Sequence, residues 1–302
     1  MRLGIGTAQF GMDYGVSNGS GQTPLPEVAR IISHAAVNGI RVIDTAAVYG
    51  TSEEAIGGLL PGRHKFSIIT KTIGFAGPTI TPRDADMLEV TFMRSLARLK
   101  QKSVYALLLH NSDNLFMESS RLLLKRMFEL REKGLVKRIG ASVYNGKQVD
   151  QLIKCGMDIV QAPLNVFDQR LAADGYLYRL KDAGFEVHAR SVFLQGLLLL
   201  EPDRLDPFFG SLSGRLAAFH EAAGAYGMTP LEASLSFVLR HKEIDRVIVG
   251  VCSREELEEV MKAYRKASGL VDCSGFSLRD ERMINPANWK ICGKTAGGRV
   301  KV

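Results

Sequence analysis

Apolar residues follow two alternating patterns along the chain. Short apolar runs of about four to eight residues, each ending in a polar residue or a glycine, predict buried strands, and longer segments with apolar residues at helical spacing predict helices. The predicted strands are Leu3–Thr7, Ile40–Asp44, Phe66–Lys71, Val104–Leu109, Lys137–Ser142, Asp158–Gln161, Glu186–Ser191 and Arg246–Gly250. The predicted helices are Leu25–Val37, Ser52–Leu60, Pro82–Leu99, Ser119–Lys133, Gly146–Lys154, Leu171–Ala183, Leu212–Tyr226, Pro230–His241 and Ser253–Lys266.

This alternation predicts an α/β protein with a single (β/α)8 TIM barrel. Each of the eight strands is followed by at least one helix, and eight regular parallel units close on themselves more readily than they form a doubly wound sheet. No break in composition marks a linker. We expect the barrel to occupy residues 1–270 and a C-terminal extension, residues 271–302, to pack on it and end in a basic tail.

Charge and composition narrow the class of protein. Much of the formal charge of +7 lies in a tail without acidic residues, which contains Lys290, Lys294, Arg299 and Lys301. Basic residues nowhere alternate with aromatic residues as in a nucleic-acid groove, so no nucleic-acid partner is expected. No segment resembles a signal peptide or a membrane helix, which predicts a cytoplasmic protein without a membrane partner. The four scattered cysteines predict reduced thiols and no metal site.

Polar residues cluster at the ends of the predicted strands. These strand-end residues are Asp44, Lys71, His110, Ser142, Gln161, Ser191 and Gly250. In a (β/α)8 barrel, the C-terminal ends of all strands meet on the face that carries the chemistry. Asp44, Lys71 and His110 follow consecutive strands, so the sequence predicts that they converge on one pocket with Tyr49.

Such a group of side chains suits proton transfer to a carbonyl oxygen. A tyrosine has a free pKa of about 10, and lowering it to 7 takes about 4 kcal/mol. A lysine ammonium about 4 Å away supplies about that much at an effective dielectric constant near 20. We therefore expect Asp44 to orient Lys71, Lys71 to lower the pKa of Tyr49, and His110 to bind the substrate oxygen. No residue supplies a hydride, so a cofactor is required.

Each residue also has an ordinary structural interpretation. Asp44 could cap a loop, Tyr49 could be an aromatic residue at the rim, and Lys71 could be a solvated strand end. His110 could belong to a turn, and Tyr14 could pack over Phe10 instead of lining the pocket. Three neighbouring strand ends rarely combine an acid, a phenol, an amine and an imidazole by chance, and this combination favours the functional interpretation.

The motif DTAAVYG at residues 44–50, with Lys71 and His110 each following an apolar strand, resembles the Asp-Tyr-Lys-His tetrad of the aldo-keto reductase superfamily. The resemblance extends from Gly4 to about residue 262. It implies a (β/α)8 barrel and a nicotinamide dinucleotide cofactor, usually NADP, with NAD as the alternative. The positions that match the family's catalytic residues are Asp44, Tyr49, Lys71 and His110.

The same resemblance implies a set of cofactor contacts. Ser142 and Gln161 are expected to bind the nicotinamide carboxamide, and the loop from Arg190 to Leu197 is expected to follow the nicotinamide and pyrophosphate. Positions from Gly250 onward are expected to hold the adenosine, with Arg254 near a 2′-phosphate. The full set of cofactor positions is Gly6, Thr7, Asp44, Ser142, Gln161, Arg190, Ser191, Phe193, Gln195, Gly196, Gly250, Ser253, Arg254, Leu257 and Glu259.

The sequence departs from the family pattern at several positions. The chain begins almost directly in strand one, so no N-terminal β-hairpin is expected below the barrel. Val143 replaces a common asparagine, and Arg190 replaces a tyrosine that stacks on the nicotinamide. A guanidinium can also stack on a ring, so Arg190 could substitute for the tyrosine, or it could bind an anionic substrate. Glu256 stands where many members place an arginine that binds the 2′-phosphate, with Arg254, Ser253 or Cys252 as candidates to compensate, and Val260 replaces an asparagine.

Three functions remain open from the sequence. The first is reduction of an aldehyde or ketone, with a sugar or another polar carbonyl compound as the small-molecule substrate. The second is a Schiff-base barrel lyase that uses Lys71. The third is a regulatory protein that binds the cofactor with little turnover. The sequence does not indicate an oligomeric state.

Overall fold

Eight parallel strands close into a barrel in the computed structural model, which describes residues 1–60, 64–267, 271–289 and 291. Each strand pairs with the next in sequence, and the last strand pairs with the first through Leu3 and Val247. The strands are β1 (Leu3–Gly6), β2 (Val42–Asp44), β3 (Ser67–Lys71), β4 (Val104–Leu109), β5 (Val136–Ser142), β6 (Ile159–Pro163), β7 (Glu186–Arg190) and β8 (Arg246–Gly250). The predicted (β/α)8 fold is therefore confirmed.

Helices surround the barrel. They are α1 (Ala8–Gly11), α2 (Leu25–Val37), α3 (Ser52–Leu59), α4 (Pro82–Leu99), α5 (Arg121–Glu132), α6 (Gly146–Lys154), α7 (Arg170–Ala173), α8 (Tyr176–Asp182), α9 (Ser213–Ala225), α10 (Pro230–Leu239), α11 (Arg254–Lys266) and α12 (Glu281–Ile284). Local sequence defines several helix starts, because a cap residue and its partner three positions later satisfy two free backbone N–H groups. Thr81 and Asp84 form such a capping box before α4, and Thr229 and Glu232 form one before α10.

Two predicted segments differ from the structure. The helix predicted over Leu171–Ala183 is two short helices, α7 and α8, which are separated at Gly175. Gly175 has a φ of 76°, a left-handed conformation that ends a right-handed helix. The segment after β1, which was expected to be a loop, begins with the helical turn α1.

The strand residues pack in two layers, as the alternating direction of side chains along a strand requires. The barrel interior contains a cluster of Val42, Ile69, Ala106, Leu108, Ile159 and Ile248. Their sequence neighbours Ile43, Ile68 and Leu107 belong instead to the large core of the fold. The interior is therefore filled below the strand ends, which leaves the C-terminal face to hold a cavity.

Polar side chains fill the N-terminal end of the barrel. No β-hairpin precedes β1 in the part of the chain that the structure describes. Near this end, Tyr105 donates a hydrogen bond to Glu186, and Arg138 Nε lies 3.0 Å from Glu186 Oε2. The buried His188 contacts Glu186 Oε1 at 2.9 Å. The contacts of Glu186 with these side chains join β4, β5 and β7 at this end.

The described part of the C-terminal segment packs against the core. Val271, Cys273, Ile284 and Trp289 are buried, and the Trp289 ring lies 4.8 Å from that of Phe209. The proposed boundary at residue 270 falls beside residues 268–270, which lie outside the described residues, so the division into barrel and extension stays a prediction. The basic tail lies outside them as well, with its four cations and Cys292.

Candidate active site

A cavity of about 540 Å³ opens at the C-terminal ends of the strands. The four predicted catalytic residues all line it. Asp44 and Lys71 are the last residues of β2 and β3, His110 directly follows β4, and Tyr49 lies in the turn after β2. The structure thus brings together the acid, phenol, amine and imidazole that the sequence predicted would converge.

Two glycines position the turn that carries Tyr49. Gly11 lies so close to this turn that a Cβ atom on it would sit 1.8 Å from the Tyr49 carbonyl oxygen. Gly50 has a φ of 54°, and a Cβ atom there would lie 2.1 Å from the Gly11 carbonyl oxygen. The backbone of α1 therefore contacts the Tyr49–Gly50 turn directly, which any larger residue at either position would prevent.

Asp44 and Lys71 form a buried ion pair. Lys71 Nζ lies 2.6 Å from Asp44 Oδ2 and donates a second hydrogen bond to the Thr45 carbonyl oxygen at 2.9 Å. The other Asp44 oxygen accepts a hydrogen bond from Gln161 Nε2 at 2.7 Å. Burial lowers the pKa of Lys71, while the charge and hydrogen bond of Asp44 oppose this change. The pair is held on both sides and so has little freedom to move.

Tyr49 lies between Lys71 and His110. Lys71 Nζ is 5.1 Å from the centre of the Tyr49 ring, and the edge-on His110 ring is 5.8 Å away. Burial raises the pKa of Tyr49 well above its usual range, and the negative charge of Asp44 adds to this effect. The cation that opposes the increase is Arg190. Burial therefore outweighs the neighbouring positive charge, the expected fall of the Tyr49 pKa toward 7 is not seen, and Tyr49 is a protonated phenol.

His110 is a neutral imidazole at neutral pH. Burial lowers the pKa of His110 from 6.5 to about 3, and the positive charges of Lys71 and Arg190 contribute in the same direction. A neutral imidazole has one nitrogen that donates a hydrogen bond and one that accepts. His110 can therefore donate to a substrate oxygen without adding a charge to the site.

Arg190 stacks on a residue that the sequence analysis missed. Its guanidinium carbon lies 4.2 Å from the centre of the Tyr144 ring. It donates hydrogen bonds to Ser142 Oγ at 3.1 Å, to Ser191 Oγ at 3.2 Å and to the Val143 carbonyl oxygen at 3.2 Å. All three acceptors are neutral. Tyr144 follows β5 by two residues, and its place just after a strand end was the available signal.

The loops after β1 and β7 meet at the cavity wall. Val16 donates a backbone hydrogen bond to the Gln195 carbonyl oxygen at 3.0 Å, and Gln195 Nε2 donates to the Tyr14 hydroxyl at 3.0 Å. A Cβ atom on Gly196 would lie 1.8 Å from Ser17 Oγ. Tyr14 lines the cavity, which favours the pocket interpretation over packing on Phe10. The sequence analysis did not identify Val16 and Ser17 as part of this contact.

Most of the predicted cofactor positions line the same cavity. These are Gly6, Thr7, Asp44, Ser142, Gln161, Arg190, Ser191, Phe193, Gln195, Gly196, Gly250 and Glu259. Three predicted positions do not line it. Leu257 is buried in the core, Ser253 caps α11, and Arg254 is exposed. Lining residues that the sequence analysis missed include Gln9, Asn18, Tyr144, Pro286 and Ala287.

Within the described part of the chain, none of the helices has the length and apolar character that a membrane span requires. The same residues include no group of three or more His, Cys, Asp or Glu side chains that could hold a metal ion.

Solved structures share this barrel at low sequence identity. AKR11C1 from Bacillus halodurans, described as an aldo-keto reductase in its holo form, is 20% identical, with a TM-score of 0.72, and the match covers 89% of this chain and 88% of that one. PA4992 of Pseudomonas aeruginosa, a presumed aldo-keto reductase, is 22% identical, with a TM-score of 0.66, and the match covers 88% and 90%. At these identities the likeness shows the fold alone. No curated protein matches the chain significantly.

A family model extends the assignment beyond the fold. The model described as the aldo/keto reductase family matches residues 2–269, which include the whole barrel and every cavity-lining strand end. This match confirms the resemblance that the tetrad motif suggested. The chain therefore belongs to the aldo-keto reductase family, and its general activity is that of a carbonyl oxidoreductase.

Proposed function

We propose that the protein reduces an aldehyde or ketone to an alcohol with NAD(P)H and that Tyr49 donates the proton. One observation carries the proposal: Tyr49, His110, Lys71 and Asp44 line a single cavity at the C-terminal ends of β2 to β4. A cavity of about 540 Å³ lies within the range of about 300–1,000 Å³ that is common for small-molecule sites.

Two side chains near Tyr49 suit a nicotinamide carboxamide. Ser142 Oγ accepts a hydrogen bond from Arg190, so its own hydroxyl hydrogen can be donated to a carbonyl oxygen. Gln161 Nε2 is bound to Asp44, which leaves the Gln161 carbonyl oxygen to accept from an amide NH2 group. This complementary pair would hold the carboxamide, and the reduced nicotinamide, when bound, supplies the hydride.

The proton reaches the substrate oxygen from Tyr49. Its raised pKa keeps the phenol protonated until negative charge develops on that oxygen. The neutral His110 is placed beside Tyr49 and can donate a hydrogen bond to the same oxygen. In the reverse direction, Tyr49 accepts the proton of the alcohol.

Lys71 and Asp44 support the phenol electrostatically. The ammonium of Lys71 lies over the Tyr49 ring and stabilises negative charge that appears on the phenol during proton transfer. Asp44 holds Lys71 in this position through the 2.6 Å ion pair. Both residues therefore act through Tyr49 rather than on the substrate itself.

A polar substrate fits the reacting end of the cavity. The hydroxyl groups of Tyr14 and Tyr144, the guanidinium of Arg190 and the imidazole of His110 all belong to residues that line it. Such groups favour a sugar or another polar carbonyl compound over a lipophilic ketone. An assay in which apolar aldehydes are reduced faster than every sugar would remove this part of the proposal.

The lyase alternative fits the geometry less well. A Schiff base requires a free, accessible amine, whereas Lys71 Nζ is buried, paired with Asp44 and bonded to the Thr45 carbonyl oxygen. Borohydride treatment with a carbonyl substrate should therefore leave Lys71 unmodified. A trapped adduct on Lys71 would favour the lyase.

The decisive experiment compares Tyr49→Phe with Tyr144→Phe. We expect Tyr49→Phe to fold, to bind the dinucleotide with unchanged affinity in calorimetry and to lose about 100-fold or more in kcat, because only the proton donor is removed. Tyr144→Phe removes a second phenol from the same cavity and should lose much less. An unchanged kcat in Tyr49→Phe would reject the assignment, and tight binding without turnover on a broad aldehyde panel would indicate a regulatory protein.

A further inference from the structure

Two carboxylates line the cavity between β8 and α11. Glu256 and Glu259 belong to the first turns of α11 and face the cavity with Cys252 and Val260. The cationic residues among those that line the cavity are Lys71 and Arg190, at the ends of β3 and β7. Lys71 is paired with Asp44, and Arg190 is held beside Ser142 and Tyr144. The α11 side of the cavity is therefore acidic.

Three backbone donors at the start of α11 are already used by side chains of the protein. A helix N-terminus normally offers such N–H groups to a phosphate. Here the Cys252 N–H donates to Glu256 Oε2 at 2.7 Å, and the Arg254 N–H donates to Glu27 Oε1 at 2.6 Å. The Glu256 N–H donates to Ser253 Oγ at 3.1 Å. Two of these three donors are taken by carboxylates, which repel a further anion.

The nearby arginines do not offset this negative charge. Arg30 lies 2.6 Å from Glu27 and 2.7 Å from Glu255, so both ends of its guanidinium face acids. The exposed Arg254 is not among the residues that line the cavity. The sequence offered Arg254, Ser253 and Cys252 as candidates to compensate for Glu256 near a phosphate, and of these three only Cys252 lines the cavity.

We propose that Glu256, assisted by Glu259, selects NAD(H) and rejects NADP(H). This inference rests on the proposed dinucleotide function. A ribose 2′-hydroxyl can donate a hydrogen bond to a carboxylate, whereas a 2′-phosphate beside the same carboxylate is repelled and finds its backbone donors occupied. The proposal reverses the preference for NADP that the family resemblance suggested.

Calorimetric titrations with NADH, NADPH and two fragments test the inference without any turnover. The fragments are 5′-AMP and adenosine 2′,5′-bisphosphate, which probe the adenosine end alone. We expect the wild-type protein to bind NADH about tenfold or more tightly than NADPH, and 5′-AMP about tenfold or more tightly than adenosine 2′,5′-bisphosphate. Both affinity ratios should be smaller at high salt, because the carboxylates are exposed and salt screens their charge.

Three variants test whether Glu256 causes the difference between the NADH and NADPH affinities. Glu256→Gln keeps an acceptor for the Cys252 N–H but removes the charge, so it should bind NADPH several-fold more tightly while NADH affinity stays within a few-fold. Glu256→Arg should reverse the preference. Glu258→Gln is the matched control, because Glu258 lies in the same helix, pairs with Lys262 and does not line the cavity. Its NADH-to-NADPH ratio should equal that of the wild type.

The outcomes separate the two proposals. If NADPH binds the wild type as tightly as NADH, or if Glu256→Gln leaves the ratio unchanged, the selection by Glu256 is wrong while the dinucleotide function stands. If neither dinucleotide binds at millimolar concentration, the proposed function fails and this inference fails with it.

Discussion

The guanidinium of Arg190 lies over the ring of Tyr144, with 4.2 Å between its central carbon and the ring centre. The contact joins the ends of β7 and β5 across the cavity and directs a positive charge toward Tyr49. Arg190 thus acts electrostatically on Tyr49, an effect that the sequence pattern did not indicate. It also lies over the ring of a residue of this chain, whereas the sequence suggested that it stacks on the nicotinamide or binds an anionic substrate.

Replacing Arg190 should separate its charge from its stacking. Arg190→Met removes both, so we expect kcat to fall about tenfold, which corresponds to about 1.4 kcal/mol of lost stabilisation for the forming phenolate. Arg190→Lys keeps the charge but cannot form the planar stack, so it should keep kcat within a few-fold of the wild type. Steady-state kinetics measures kcat in both variants, and calorimetry shows whether they still bind the cofactor. Equal losses in both variants would show that the stack, and not the charge, is what matters.

Lys71→Met should impair stability as well as turnover. The substitution leaves the buried carboxylate of Asp44 with Gln161 as its remaining side-chain partner. Breaking a buried ion pair by removing one partner costs about 3–5 kcal/mol, which urea unfolding can measure. The double variant Asp44→Asn with Lys71→Met removes both charges and should recover much of that stability.

The same Lys71→Met variant tests the catalytic role. The kcat of the double variant should stay as low as that of Lys71→Met even though its stability recovers. The reason is that the ammonium near Tyr49 is absent from both variants. A pH–rate profile identical to that of the wild type in Lys71→Met would contradict an electrostatic role for this lysine.

His110 should make stability depend on pH in a defined window. Its pKa is about 3 in the folded protein and 6.5 as a free side chain, so the unfolded chain binds the additional proton between these values. Stability from this residue is therefore present above pH 6.5 and is lost as the pH falls toward 3. Urea unfolding at pH 7, 6, 5 and 4 should show a weaker pH dependence in His110→Asn than in the wild type. A His110 imidazole resonance that titrates near pH 6.5 in NMR would contradict this prediction.

Gly11 should be essential for the position of Tyr49, although it contacts no substrate. Gly11→Ala places a Cβ atom 1.8 Å from the Tyr49 carbonyl oxygen, and the turn must move. We expect a loss of about 1–3 kcal/mol in unfolding free energy together with a lower kcat. Gly58→Ala in α3 is the matched control, since a Cβ atom there meets nothing within 4 Å. It should be neutral or stabilise the protein by about 0.5–1 kcal/mol.

The amino-acid sequence by itself determined the barrel and the group of catalytic candidates. Eight apolar strands that alternate with helices favour a closed parallel sheet over a doubly wound one, and closure places every strand end on one face. The convergence of Asp44, Lys71, His110 and Tyr49 follows from this. The break at Gly175 was missed because the apolar spacing continues across it and only the backbone conformation differs.

Tertiary structure alone decided how the site is charged. The stacking of Arg190 on Tyr144, the bond from Gln161 to Asp44 and the use of the Arg254 N–H by Glu27 each join segments far apart in sequence. Such contacts depend on the paths of the loops and on which side chains meet across the barrel, and no local periodicity encodes them. The sequence therefore placed the reacting groups, while long-range packing set their hydrogen bonds, their pKa values and the acidity of the cavity beside α11.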